Sequence, residues 1–359
     1  MKKNFFLWVA VFAVGAMSSC SVDKVVDQAE ARYIGFDPFA NKVTRAATTT
    51  AEGLGHSSFS VFGRYEEGTS TYNVIFNNKE VKWSNEENLS DADGSWEYEP
   101  LVPWVSGKKY QFAAIAPYKA SGYSYTYGAD INTAGTYTLG EITVDATDAN
   151  QIDYMTATPK DNVQSGASPV SFDFNHILSK IDFIFKPKTT GDNAWLSEVR
   201  IEITKIELAD VPTKNTYEAD AWGALDTPET NKVTFSEGQG TSALVKTSYA
   251  GSGQPTPTAK TFDWLVVPQG TTSGEITKTL TITCNVYDNA TSDGTLLKGN
   301  ATASVDIKTS WAKNTYYTYT VSIGADILGA NPYITFDVKE VTDWTPDTSN
   351  SVDVTPTQP

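Results

Sequence analysis

Residues 170–185 read Val170-Ser171-Phe172-Asp173-Phe174-Asn175-His176-Ile177-Leu178-Ser179-Lys180-Ile181-Asp182-Phe183-Ile184-Phe185. Val170 to Phe174 and Ile181 to Phe185 alternate apolar with polar character, the period of half-buried strands, so the segment reads as two strands meeting at a corner. His176 sits in that corner, where we expect it to hydrogen-bond the bending backbone. The same pattern recurs in Phe59 to Tyr65, Tyr110 to Ala116, Val199 to Leu208, Leu280 to Tyr287, Tyr316 to Ile323 and Ile334 to Val341, between turns of Gly, Asn, Asp and Pro. No long amphipathic helical stretch interrupts these runs. An all-β sandwich or barrel follows, and βαβ architecture is disfavoured.

The 359 residues suffice for two domains of ordinary size. A net charge of -16, from 43 acidic and 27 basic side chains, argues against a protein that tracks nucleic-acid phosphates. The 18 Tyr, 16 Phe and 9 Trp supply more core material than a disordered chain carries. With 2 His and 2 Cys, neither a zinc site of the usual ligand type nor a disulfide scaffold is expected, and no metal or cofactor motif stands out.

Residues 1–19 read as a signal peptide: Lys2 and Lys3, the apolar run Phe5 to Ala16, then small residues before Cys20. The apolar run is shorter than the roughly 20 residues that span a bilayer. Met17-Ser18-Ser19-Cys20 resembles a lipobox, which makes Cys20 the expected lipidation site and an outer-membrane lipid a partner; an ordinary signal peptide with an accidental Cys is the alternative. Removing residues 1–19 deletes two lysines and no acid, so the mature charge becomes -16 - 2 = -18. Cys284, in Thr281-Ile282-Thr283-Cys284-Asn285-Val286, then reads as a buried strand thiol.

Lys42 to Gly55 and Thr158 to Ser168 have linker composition. Placing a boundary near residue 167 divides the chain into a propeptide over 20–45, a first β-domain over 46–167 and a second over 168–359. Trp104 to Phe112 can be laid beside Trp311 to Tyr319, a Trp and a basic turn leading into an aromatic strand in both.

No catalytic set emerges. His56, in the Gly-rich linker, is expected to be solvated, and Ser179 and Asp173 beside His176 form no recognised nucleophile elbow. Paired carboxylates cannot be singled out among so many acids. The Asp/Asn-rich loops Asp91 to Gly94 and Asp288 to Gly294 lack EF-hand spacing, and turn chemistry explains both. Trp83, Trp96 and Trp104 either close a core, the favoured reading, or form a platform for sugar rings.

Ala31 to Phe39 reads as a short strand ahead of the first linker. Burial of Ile34 and of Phe36 or Phe39 on one face would contribute about 1.5 to 3 kcal/mol each. The chain has four arginines, at 32, 45, 64 and 200, and Arg45 alone lies in a segment with the composition of an exposed, cleavable loop. A cut there would release the strand with Tyr33, Ile34, Phe36 and Phe39, leaving a groove open to β-augmentation. Arg45 as one loop charge among many is the alternative.

Several segments together resemble the fimbrillin family, lipoprotein precursors of type V pili. They are Phe36 to Ala47 with Thr44-Arg45-Ala46-Ala47, Trp96-Glu97-Tyr98, Trp104, Lys109 to Tyr118, Gln151 to Ala157, Phe172 to Ile181, Leu265 to Gln269, Trp311 to Tyr319 and Ile334 to Trp344, in the family's order. The resemblance implies two tandem transthyretin-like Greek-key β-sandwiches and a non-enzymatic, cell-surface pilus subunit exported as a lipoprotein. It also implies an Arg-specific protease cutting between Arg45 and Ala46, other pilus subunits as partners, and assembly by strand exchange, with a host protein or glycan as a further ligand. A donor strand in this family comes from the C-terminal region. Here the polar tail offers only Val352 and Val354, which suits a tip, accessory or terminating subunit, unless Ile334 to Trp344 itself moves. A surface glycan-binding lipoprotein using exposed Trp83 or Trp96 is the other reading.

Overall fold

The computed structural model describes residues 33–40, 54–91, 93–166, 169–225, 231–253, 255, 258–268, 276–329 and 334–342. They form 22 strands, and the two longest helical pieces are the 3-10 turns Asp148–Asn150 and Ala325–Leu328, so the chain is all-β. Each of the eight runs read from the sequence lies in a strand.

In the first sheet the strands lie in the order Phe36–Ala40, Val170–His176, Met155–Ala157, Lys109–Ala116, Ser58–Gly68, Thr71–Trp83, Trp96–Glu97. Lys160–Gln164 pairs with Lys109–Ala116 beyond the end of Met155–Ala157. The sheet curls, because Phe36 at one edge touches Phe76 and Tyr98 near the other. Alternate side chains point inward, and Phe59, Phe76, Phe112, Phe172 and Phe174 fill the enclosed core. On the opposite face Phe62, Ala113 and Ile115 are covered by the hairpin Ser124–Thr126 and Thr136–Thr138 through Tyr125 and Tyr137.

The second half is a sandwich. One sheet runs Thr258–Val266, Ser179–Pro187, Thr315–Ile323, Ile334–Thr342; the other runs Lys232–Glu237, Val199–Pro212, Ile276–Tyr287, Leu296–Thr309, with Val245–Tyr249 also on Val199–Pro212. Phe183, Trp264 and Tyr319 from one layer and Ile203, Leu208, Ile282 and Cys284 from the other share one buried core. Cys284 is fully buried, and burial pushes its thiol up to about 12.

Gly140–Thr143, between the two halves, pairs antiparallel with Lys214–Glu218. Around that joint Gln151 grips Leu265 from both sides, Nε2 donating to its carbonyl at 3.1 Å and Oε1 accepting its amide at 2.6 Å. Trp222 Nε1 donates to Ile177 O at 2.7 Å. Two expectations need amendment. Thr158 to Ser168 contains the paired strand Lys160–Gln164, whose polar side chains sit half-exposed and so imitate a linker. Val170–His176 follows residue 167 yet pairs with Phe36–Ala40 and Met155–Ala157 in the first sheet, so we propose the division at Ile177-Leu178.

The two aromatic turns share one geometry. The Val105 amide donates to Tyr110 Oη at 2.6 Å, and the Ala312 amide to Tyr317 Oη at 2.8 Å. Gly107 and Asn314, each three residues after the Trp, both take left-handed backbone, at φ 72° and 56°. Gly and Asn tolerate that conformation best, which explains the choice of residue at the shared position.

Candidate functional site

Phe36–Ala40 occupies the edge of the first sheet, parallel to Val170–Phe174, with Phe36 opposite Val170 and Ala40 opposite Phe174. The hold extends upstream. The Ile34 amide donates to Val102 O at 2.9 Å, the Val170 amide to Gly35 O at 2.8 Å, and Tyr33 bridges Pro103. Ile34, Phe36 and Pro38 point inward, while Tyr33 remains 48% exposed.

Phe36 is the centre of the arrangement, its ring within 5.4 to 5.9 Å of Phe76, Tyr98, Phe112 and Phe172, edge-on to Phe76 and Phe112, tilted to Tyr98 and stacked on Phe172. Such ring pairs add to the burial gain. Tyr98 locks the strand from above: Oη donates to Ile34 O at 2.8 Å and accepts the Val102 amide at 3.3 Å. Burial raises the Tyr98 phenol above its ordinary range, so it stays a donor at neutral pH. Burial also raises Asp37. Leu54, the first described residue beyond Ala40 and within the stretch of linker composition, is buried in the same core.

Of the residues named from the sequence, Ile34 and Phe36 meet in this slot and Tyr33 lies at its mouth. Phe39 stands opposite Asp173 in the ladder, and its side chain lies outside the described residues. Cys20, Arg45, Ala46, Val352 and Val354 also lie outside them. Sequence reasoning missed Pro38, Tyr98 and Val102. Strict alternation from Ile34 through Phe36 finds Pro38, whereas nothing local marks Tyr98 as the strand's partner.

The histidines converge. His176 Nδ1 lies 2.8 Å from Asp153 Oδ2, and His56 Nε2 lies 2.7 Å from the Asp153 carbonyl. His56 is therefore not the solvated linker residue expected; burial lowers its pKa. His176 stands at the corner, within reach of the Asp153 carboxylate. Trp83 is buried against Trp96 at 5.1 Å, Trp96 packs on Phe59 at 5.0 Å, and Trp104 packs on Tyr110 at 4.6 Å. Trp83 is buried and Trp96 and Trp104 are half-buried against the first core, which favours the core reading of these rings. Among the described residues no three His, Cys, Asp or Glu side chains gather as a metal site, and no helix is long and apolar enough to cross a membrane.

No curated protein matches the chain. Among solved structures, a candidate cell adhesion protein of Bacteroides ovatus ATCC 8483 aligns over 88% of this chain and 99% of its own, at 18% identity and TM-score 0.50, a likeness of fold. Another from Bacteroides uniformis ATCC 8492 covers 87% and 98% at 14% identity and TM-score 0.43. A fimbrial assembly protein of Parabacteroides distasonis ATCC 8503 covers 85% and 94% at 11% identity and TM-score 0.37. The family model described as fimbrillin-like matches residues 44–344, most of the sequence. The chain belongs to the fimbrillin-like family.

Proposed function

We propose that the chain is a structural or adhesive subunit of a cell-surface pilus. In this reading it is exported as a lipoprotein through Cys20, cut between Arg45 and Ala46, and assembled with other subunits by strand exchange, each half being a transthyretin-like sandwich. The observation that carries the reading is the edge strand Phe36–Ala40, seated with Phe36 among four aromatic rings, five residues before Arg45. A cut after Arg45 turns this covalent part of the sheet into a separable peptide. Its departure would expose apolar surface worth about 1.5 to 3 kcal/mol for each large side chain, together with unpaired groups along Val170–Phe174. An incoming strand recovers both terms, so exchange is favoured once the original strand is free.

The test is incubation of the purified protein with an Arg-specific protease, followed by N-terminal sequencing and sizing. A new terminus at Ala46 with conversion to higher oligomers is expected. A chain that resists cutting at Arg45, or that stays monomeric after losing the fragment, refutes the scheme.

A further inference from the structure

Both histidines of the chain, 120 residues apart in sequence, meet at one aspartate. Asp153 lies two residues before Met155–Ala157, and His176 ends Val170–His176, where it stands opposite Met155 in the ladder. His56 comes from elsewhere in the chain, on residues 54–57, the stretch that leads into Ser58–Gly68. Three ties hold that stretch. Leu54 is buried in the first core, Ser57 O accepts the Trp83 amide at 2.8 Å, and His56 Nε2 meets the Asp153 carbonyl at 2.7 Å. Of these three ties, only the one through His56 can titrate.

The geometry fixes where a proton would go. A carbonyl oxygen only accepts, so His56 Nε2 carries the hydrogen of that bond and Nδ1 is the basic position. The titratable groups that face His56 are Asp153 and His176. The carboxylate is taken on Oδ2 by His176 Nδ1 at 2.8 Å, its Oδ1 is buried without a hydrogen bond, and His56 meets the carbonyl alone. One carboxylate therefore serves one imidazolium, and a second proton leaves His56 charged in a half-buried corner without a counterion of its own. Burial, with repulsion from His176 added, accordingly outweighs the attraction of Asp153 and holds His56 below the ordinary histidine range.

We propose that His56, Asp153 and His176 form an acid-released latch: the neutral His56 ring pins residues 54–57 to the corner, and on acidification the charged ring favours solvent and the stretch opens more often. The direction follows from linkage. A group held below its unfolded value of about 6.5 contributes fully above that pH, and its contribution is lost as pH falls through the lower folded value. Residues 54–57 are where the chain meets the first sheet downstream of Arg45. The bearing of the latch on a cut at Arg45 rests on the proposed function; the latch itself does not.

The test is hydrogen exchange at the Trp83 amide of the full chain, read by NMR at about pH 7.5 and about pH 5.5 and divided by the intrinsic rate at each. Opening should rise several-fold in acid, with about tenfold as the ceiling that uptake of one proton sets over this range. His56→Gln keeps a side-chain donor for the Asp153 carbonyl but cannot titrate, so its opening should be equal at the two pH values. His176→Gln leaves the Asp153 carboxylate to His56 and should shrink the rise. Where that buried substitution misfolds, the ring resonances of His56 in the unaltered chain give the second reading, and they should titrate below about pH 6.5. Unchanged Trp83 protection in the unaltered chain, a rise that persists in His56→Gln, a rise undiminished in folded His176→Gln, or titration of His56 at or above about pH 6.5 overturns the inference.

Discussion

Replacing Phe36 by Ala separates the strand's contribution from that of the rest of the sheet. The ring is 3% exposed and touches Phe76, Tyr98, Phe112 and Phe172. Truncating a buried Phe costs about 3 to 5 kcal/mol, a large share of the roughly 5 to 15 kcal/mol that holds a domain together. In the uncut chain the whole loss should appear as a lower denaturant midpoint at unchanged slope, followed by Trp fluorescence. In a chain cut after Arg45 the strand is bound only noncovalently. The same loss then becomes weaker retention of the fragment, by roughly two to nearly four orders of magnitude in its dissociation constant. Once the fragment has gone, variant and wild type are identical from Ala46 onward and must unfold identically. A loss below about 1 kcal/mol in the uncut chain would place Phe36 among ordinary surface positions and refute the reasoning.

Other substitutions probe the same architecture. Tyr98→Phe removes the bond to Ile34 O and the acceptor for the Val102 amide, and should cost about 1 to 3 kcal/mol in urea denaturation. Gly63→Ala places a Cβ 2.8 Å from the Phe76 ring and 2.9 Å from the Phe112 ring, so overpacking of about 1 to 3 kcal/mol should lower the thermal midpoint. Gln151→Ala leaves the Leu265 amide without its partner, and faster hydrogen exchange at that amide should report a loosened joint. Cys284 should resist alkylation at pH 8 and react in urea. Its thiol is raised to about 12 when folded and lies near 8.5 when unfolded, so only the unfolded chain deprotonates between those values. Its contribution to stability is therefore full below about 8.5 and falls as pH rises toward 12; Cys284→Ala should flatten that part of the profile.

Strands whose inward side chains are large were legible. Tyr110 to Ala116 and Val199 to Leu208 carry buried apolar residues at close spacing and lie within the observed strands Lys109–Ala116 and Val199–Pro212. Strands that depend on their neighbours were not. Leu296–Thr309 turns Ala301 and Ala303 inward and Thr302 and Ser304 outward, too weak a contrast to mark a strand. Lys214–Glu218 is polar because its partner is Gly140–Thr143 at the joint, a pairing that no local pattern encodes. The slot was half legible for the same reason. Ile34 and Phe36 alternate visibly, but the parallel partner lies more than a hundred residues away, and Tyr98 acts through a single hydroxyl.

The direction of the Phe36–Ala40 strand also sets how the molecule would stand on a membrane. Because it runs parallel to Val170–Phe174, which heads toward the joint through His176 and Ile177, its upstream end at Tyr33 faces away from the second sandwich. Twelve residues lie between Cys20 and Tyr33, a tether of at most about 45 Å at full extension. A precursor anchored at Cys20 would therefore be planted by the foot of its first half, holding the second sandwich outward on the far side. Under the proposed scheme a cut at Arg45 would separate that foot and the seated strand from the rest of the chain in one event, so that detachment from the membrane and opening of the groove would be coupled by geometry alone.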